Sequence, residues 1–195
     1  NGNLEFHWTL RDFGGKVLRE YVNTPTALVP AHDYIFRGDQ PLGEVDFTTP
    51  SPTTYHLTLD HLGTPRLKTS TTGAVAQKWK YFPFGEEAIP AAQAGTALRY
   101  TGHERDRFNL GGSGDDVDYL HARHKSSSLA RFLGADQVRG SKSAPQSWNQ
   151  FAYVRGNPLR LVDPDGKCAV PAGLREGQVG ICIESFIQRK RIGGV

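Results

Sequence analysis

Apolar and polar residues alternate over short stretches in the first hundred residues of the chain. Over residues 4–10 every second position is apolar, as in a β-strand that buries one face. Residues 12–15 include two glycines, which can adopt the positive φ angles of a tight turn. Residues 17–22 then return to strand-forming types. The sequence therefore predicts a β-hairpin over residues 4–22.

The same pattern recurs further along the chain. Residues 34–45 contain two short apolar stretches around a turn at Gly38 and Asp39, and residues 55–81 contain a loop at 63–65 and a turn at 72–73. Hairpins that recur every ~20–30 residues indicate a repeat architecture. Because a repeat buries its apolar face only against its neighbours, we predict stacked hairpins, with upstream partners for the first hairpin and a self-associating edge there.

The second half of the chain continues as short elements. Residues 86–98 are rich in Ala but are interrupted by Pro90 and Gly95, which predicts a loop. Residues 99–133 resume short strands around a Gly-rich loop at 111–116. Residues 147–153 predict a short helix with Ser147 as its N-cap. We therefore predict an all-β fold, β-rich with short helical turns.

Composition and charge narrow the class of protein. The 195 residues are 37% hydrophobic, which suffices for one or two ordinary globular domains, and 22 glycines with 12 prolines disfavour long helices. The net charge is only +3 and the basic residues are scattered, so no nucleic-acid partner is indicated. Within these residues we expect neither a membrane span nor a signal peptide. It contains no Met, and we expect a piece excised from a longer protein.

The two cysteines lie near the end of the chain. Cys168 and Cys182 are 14 residues apart. A disulfide in a secreted protein and a pair of ordinary buried thiols both agree with this spacing. The sequence leaves the disulfide state open.

Seven short motifs follow one another in a recognisable order. Together they resemble the RHS-repeat-associated core over residues 55–167, and the hairpins before them resemble degenerate YD repeats. The motifs are DHLGTPR at 60–66, YFPFG at 81–85, YTGHERD at 100–106, DYLHAR at 118–123, ARFLGAD at 130–136, WNQFAYVRGNPL at 148–159 and LVDPDG at 161–166.

This resemblance implies a domain organisation and a function. Residues 1–54 would be YD-repeat hairpins, residues 55–167 the RHS core, and residues 168–195 the start of a variable C-terminal effector. In RHS polymorphic toxins and the C component of bacterial toxin complexes, the hairpins spiral into a hollow β-shell that the core closes, and the toxin lies inside. The resemblance implies a secreted or cell-surface location. Its partners would be the chain's own effector segment and upstream YD repeats, with an immunity protein or a delivery apparatus beyond them.

Many members of the family cut their own chain after the last motif in an aspartyl-protease-like reaction, which needs neither cofactor nor metal. Matching the motifs nominates Asp136 and Asp163 as the two carboxylates and Arg123 as the cation that orients them. Asp165 is the fallback for either carboxylate, and the bond between Lys167 and Cys168 would be cut. In such a pair the carboxyl groups share one proton, so that one activates water while the other polarises the carbonyl.

Some positions depart from the family pattern. Phe82 stands where the second motif commonly has Asp, and Lys167 stands where cleaving members commonly have Leu. The tetrapeptide at 163–166 is also an ordinary turn sequence. An alternative function is therefore a non-cleaving structural or adhesive cell-surface YD-repeat protein, in which the core is only a plug. His103, His121 and His124 with Asp106 and Asp118 could suggest a metal site. The spacing of three between His121 and His124 lacks the helix and the third ligand typical of zinc sites.

Overall fold

The computed structural model describes residues 7–88, 97–106, 116–137, 140 and 145–173. It divides the chain into two compact units. The first unit comprises Asn1–Leu59 and Arg66–Lys78, and the second comprises Asp60–Pro65 and Trp79–Val195. The domain boundaries predicted from the family resemblance, after residues 54 and 167, describe family modules rather than compact units, and they stay a prediction.

The first unit is built on a seven-stranded sheet in which the strands follow one another in sequence order. Each strand is joined to the next by a short connection, as the alternating pattern predicts, and the all-β prediction is confirmed. Residues 4–6 of the first predicted strand lie outside the described residues. The strands are β1 (His7–Arg11), β2 (Val17–Asn23), β3 (Leu28–Arg37), β4 (Gln40–Asp46), β5 (Thr53–Leu59), β6 (Pro65–Ser70) and β7 (Val75–Lys78).

A buried ion pair lies on one face of this sheet. Glu44 of β4 has no exposed surface, and its carboxylate pairs with the Lys68 ammonium on β6. The ammonium also lies 4.1 Å from the centroid of the Tyr55 ring on β5, between the other two strands. The backbones of β4 and β5 also approach each other closely here, since a Cβ on Gly43 would lie 2.5 Å from the carbonyl oxygen of Tyr55. Charge pairing and close backbone packing thus hold β4, β5 and β6 together.

The described residues of the second unit form two smaller antiparallel sheets. The four-stranded sheet has the order β11-β10-β9-β8, and the two-stranded sheet pairs β12 with β13. Short 3₁₀ turns at Tyr100–Gly102, Pro145–Trp148 and Val154–Gly156 complete its described elements. The strands are β8 (Glu104–Asp106), β9 (Val117–Leu120), β10 (Arg123–Ser126), β11 (Arg131–Phe132), β12 (Leu161–Val162) and β13 (Val170–Pro171).

Aromatic side chains from several motifs form the core of the second unit. The rings of Tyr100 and Tyr153 lie 6.3 Å apart between centroids, and those of Phe132 and Tyr153 lie 5.7 Å apart, both edge to face. Leu120 completes the centre of this cluster and has no exposed surface. The motifs that carry the family resemblance therefore supply the core of this unit.

The helix expected over residues 147–153 is wrong. The structure has a single 3₁₀ turn at Pro145–Trp148, with Ser147 inside the turn rather than at its N-cap. The next residues pair with β11 instead, since the Phe132 N–H donates to the Phe151 oxygen at 2.9 Å and Ala152 bridges Arg131. A backbone engaged in sheet hydrogen bonds cannot also continue a helix.

The predicted loops at 86–98 and 111–116 lie largely outside the described residues. The loop expected at 63–65 is shorter than predicted, because β6 begins at Pro65. Within the described ranges, no helix is long and apolar enough to cross a membrane.

Candidate functional site

The loop that contains the last motif packs against the turn between β9 and β10. Gly166 has φ +73°, and a Cβ at this position would overlap the carbonyl oxygen of Leu120. The N–H of Ala122, in the turn, donates to the carbonyl oxygen of Asp165 at 3.1 Å. Only glycine combines this φ with such a close backbone approach. The packing brings the loop next to Arg123, the first residue of β10.

Arg123 joins the two predicted carboxylates. Its Nη1 lies 3.0 Å from Oδ2 of Asp136, and its Nη2 lies 3.6 Å from Oδ2 of Asp163. Its Nε donates to the carbonyl oxygen of Gly166. The guanidinium stacks on the Phe132 ring, with its carbon 3.7 Å from the centroid. The structure thus brings together the three residues nominated from the motifs, and their catalytic role stays a prediction.

Backbone hydrogen bonds fix the position of Asp136. Its N–H donates to the oxygen of Gln150 at 2.8 Å, and the Gln150 side-chain amide donates back to the Asp136 carbonyl at 3.1 Å. The Asp136 carboxylate remains 26% exposed, so solvent can reach it. Sequence reasoning missed the positioning role of Gln150, although this residue lies within the motif at 148–159.

The Asp163 carboxyl group is buried beside the predicted scissile bond. The residue is 2% exposed, and its Oδ1 accepts a hydrogen bond from the N–H of Cys168 at 3.0 Å. Burial raises the pKa of Asp163 to about 6, while the Cys168 N–H and the charge of Arg123 act in the opposite direction. This carboxyl group therefore holds a proton closer to neutral pH than an exposed aspartate does.

The residues on either side of the predicted bond have different environments. Lys167 is exposed, and its N–H donates to Oδ1 of Asp165 at 3.0 Å. Asp165 is itself exposed, and this contact places its carboxylate on the backbone of its own turn. Cys168 is half-buried and disulfide-bonded, with its partner outside the described residues.

A buried histidine contacts the backbone of the loop that contains Asp163. Nε2 of His103 lies 3.1 Å from the carbonyl oxygen of Asp163. Burial lowers the pKa of His103 to about 4, so the ring is neutral at physiological pH. In the part of the chain that the structure describes, no group of three or more His, Cys, Asp or Glu side chains could hold a metal ion.

Three buried charges cross the sheet next to the site. Asp118 of β9 lies 2.7 Å from Nε of Arg105 on β8 and 2.7 Å from Nζ of Lys125 on β10. Burial alone would raise the pKa of Asp118, but Lys125 and Arg105 hold it below its ordinary value. Sequence reasoning missed this cluster, because charged residues in short strands usually face solvent.

The same two cations reach the motif at 81–85. Arg105 donates to the carbonyl oxygen of Gly85 at 2.7 Å, and Lys125 donates to that of Phe84 at 2.8 Å. The motif at 81–85 is therefore held through the backbone carbonyls of Phe84 and Gly85.

These features define an all-β fold of antiparallel hairpins, similar to that of solved RHS shell proteins. The crystal structure of TcdB2-TccC3 matches with a TM-score of 0.60, 21% identity and coverage of 76% of this chain and 7% of that chain. The same complex without its hypervariable C-terminal region matches with a TM-score of 0.55 at 18% identity, covering 82% and 9%. The shell-type fold predicted from the hairpins is thereby confirmed.

Sequence comparison narrows the class further. Toxin subunit YenC2 of Yersinia entomophaga is 33% identical over 105 residues, which cover 51% of this chain and 10% of that subunit. Toxin subunit YenC1 of the same organism is 30% identical over 110 residues, which cover 54% and 10%. The chain is homologous to Tc toxin C subunits, and the recognition from its motifs is confirmed. It spans about a tenth of the length of these curated relatives. No family model matches the chain.

Proposed function

We propose that this chain is the closing part of a shell that encloses a C-terminal toxin, and that it cuts itself between Lys167 and Cys168. Homology to toxin subunits supports the first half of this proposal. In this reading the effector begins at residue 168, and the partners are that effector and the upstream YD repeats. Toxin delivery requires export, so the protein acts outside the cell that makes it.

The observation that supports the proposed self-cleavage is the contact of Asp163 with Cys168. Oδ1 of Asp163 lies 3.0 Å from the nitrogen that must leave when the Lys167–Cys168 bond breaks. A leaving amine needs a proton, and a carboxylic acid at hydrogen-bond distance can supply it. The raised pKa of Asp163, about 6, keeps part of the population protonated near neutral pH.

The second carboxylate provides the base. The water oxygen adds to the carbonyl carbon of Lys167, and Asp136 accepts the proton that the water loses. The C–N bond then breaks as Asp163 gives its proton to the nitrogen of Cys168. The products are a carboxyl group on Lys167 and an amine on Cys168, and exchange with solvent restores both aspartates. Arg123 keeps the two carboxyl groups oriented through its two Nη atoms.

This assignment predicts a pH dependence. The acid form of Asp163 becomes more abundant as the pH falls through about 6. We therefore expect the cleavage rate to increase as the pH falls from about 8 to about 6. The time course of the cut fragment, followed by denaturing gel electrophoresis, measures this profile.

Intact-mass spectrometry of the full chain tests the cleavage itself. The wild type should be cut after Lys167, Asp136→Asn and Asp163→Asn should abolish the cut, and Arg123→Ala should slow it. Asp39→Asn is the matched control, because this carboxylate is 92% exposed and pairs with Lys16 in the first unit. Each variant is confirmed folded by circular dichroism.

Two artefacts could imitate self-cleavage, and each can be distinguished from it by the mass of the fragments or by the response to the Asn substitutions. A trypsin-like contaminant also cuts after Lys167, but it is indifferent to the two Asn substitutions in a folded chain. Acid hydrolysis instead breaks the bond between Asp163 and Pro164. Cutting that persists in both folded Asn variants would refute the carboxylate pair.

The internal bonding of the site favours the alternative function, a structural plug that does not cut. Arg123 is paired with both carboxylates, and Asp163 caps the N–H of Cys168 as it would in a stable turn. An uncut wild type under folding conditions would support this alternative.

A further inference from the structure

The segment that follows the predicted cut belongs to the fold of the second unit. β13 pairs with β12 in antiparallel register, with Val170 opposite Val162 and Pro171 opposite Leu161. The N–H of Ala172 extends this pairing by donating to the carbonyl oxygen of Arg160 at 2.8 Å. The strand after the cut therefore lies beside the strand before the loop.

Side chains of the same segment are buried in the unit. Ala169 is 5% exposed and belongs to the core cluster, and Val170 is 8% exposed. Ala172 packs against that cluster. These contacts are non-covalent and join residues 169–172 to residues that precede the bond, so cutting the bond before Cys168 does not itself remove them.

We infer that the core contains a binding site for the N-terminus that the cut creates, which holds residues 168–172 as a β-strand with the Cys168 α-ammonium against the Asp163 carboxylate. This inference rests on the proposed cleavage. The ligand is a short peptide with a free amino terminus, bound by strand addition.

The chemistry of the cut strengthens the contact at Cys168. Before the cut, Oδ1 of Asp163 accepts a hydrogen bond from a neutral amide. After the cut, the same nitrogen is an ammonium group, and charge-assisted hydrogen bonds are shorter and stronger than neutral ones. Asp163 then lies between two cations, the new ammonium and Arg123. Cleavage and release are therefore separate events, and the effector leaves only when this strand detaches.

Hydrogen exchange on the full chain tests the bound strand, once intact mass has shown whether the chain is cut. The reference is uncut Asp136→Asn, which retains the contact of Asp163 with Cys168. We expect the amide hydrogens of Ala169, Val170 and Ala172 in the cut wild type to exchange within about tenfold of the rates in this reference. Val170→Ala should accelerate exchange about tenfold by removing buried methyl groups, whereas Pro171→Ala, at an exposed position, should not.

Amine labelling tests the ammonium contact separately. The new α-amino group should react with an amine-directed acylating reagent at least about tenfold more slowly in the folded, cut chain than after denaturation. An uncut wild type overturns the proposed function and this inference with it. A cut chain whose residues 169–172 exchange at unfolded rates overturns the inference alone. A protected strand with a fully reactive amine overturns the pairing with Asp163.

Discussion

Protonation of His103 should destabilise the second unit in mild acid. The ring is 9% exposed and its pKa is lowered from 6.5 to about 4, chiefly by burial. Between these two values the unfolded chain binds a proton at His103 while the folded chain does not. Stability from this residue is therefore fully present above pH 6.5 and is lost as the pH falls toward 4. The gap between the two pKa values corresponds to about 3 kcal/mol.

Asp163 acts in the opposite direction over nearly the same range. Its pKa is raised from 3.8 to about 6, so its protonation favours the folded state, and this contribution is lost as the pH rises through about 6. The two residues partly cancel in the wild type. The contribution of His103 is therefore measured by comparison with His103→Gln, whose amide can still donate to the Asp163 carbonyl.

Urea unfolding followed by tryptophan fluorescence provides the assay. Between about pH 7.5 and about pH 4.5, the wild type should lose about 2–3 kcal/mol more stability than His103→Gln. Circular dichroism at the higher pH confirms that the variant is folded. Parallel stability profiles, within about 0.5 kcal/mol, would show that the burial of His103 does not hold its pKa down.

Two further substitutions test the packing around the site, each measured by urea unfolding against a matched control. Asp118→Asn leaves the buried Lys125 without its carboxylate and Arg105 with Glu87 at 3.5 Å, and should cost about 3–5 kcal/mol, whereas Asp106→Asn, 57% exposed and 4.0 Å from a histidine, should change stability by less than about 0.5 kcal/mol. Gly166→Ala should cost about 2 kcal/mol more than Gly73→Ala, because both have positive φ but only the first overlaps a backbone oxygen; equal costs would contradict the close packing of the loop.

The hairpins were predictable because their signal is local. Alternation of apolar and polar residues and the turn residues between them lie within one repeat, and β1 to β4 follow the predicted order. The helix at 147–153 was wrong for the opposite reason. Its apolar spacing is local, but the hydrogen bond from Phe132 to Phe151 joins residues that are distant in sequence. Tertiary pairing overrides a weak helical pattern.

The site required the family motifs. Arg123, Asp136 and Asp163 lie apart in sequence. The packing of the loop on the β9–β10 turn and the hydrogen bonds between Asp136 and Gln150 bring them together. The spacing of these three residues in the sequence does not predict that they meet. Gln150 was missed because both of its hydrogen bonds to Asp136 involve backbone atoms, and the identity of a residue does not indicate what its backbone contacts. The low exposure of Asp163, which raises its pKa, is equally invisible in the sequence.

The row of buried charges also selects one alignment of three strands. Arg105, Asp118 and Lys125 occupy directly opposed positions on β8, β9 and β10. Sliding any one strand by a single residue would turn its charge to the opposite face and leave a buried partner uncompensated. Apolar contacts tolerate such a slip far better than a buried ion does. The row therefore penalises misaligned hairpins while the chain folds, so that Arg123, two residues before Lys125, reaches its place only when the strands are correctly paired.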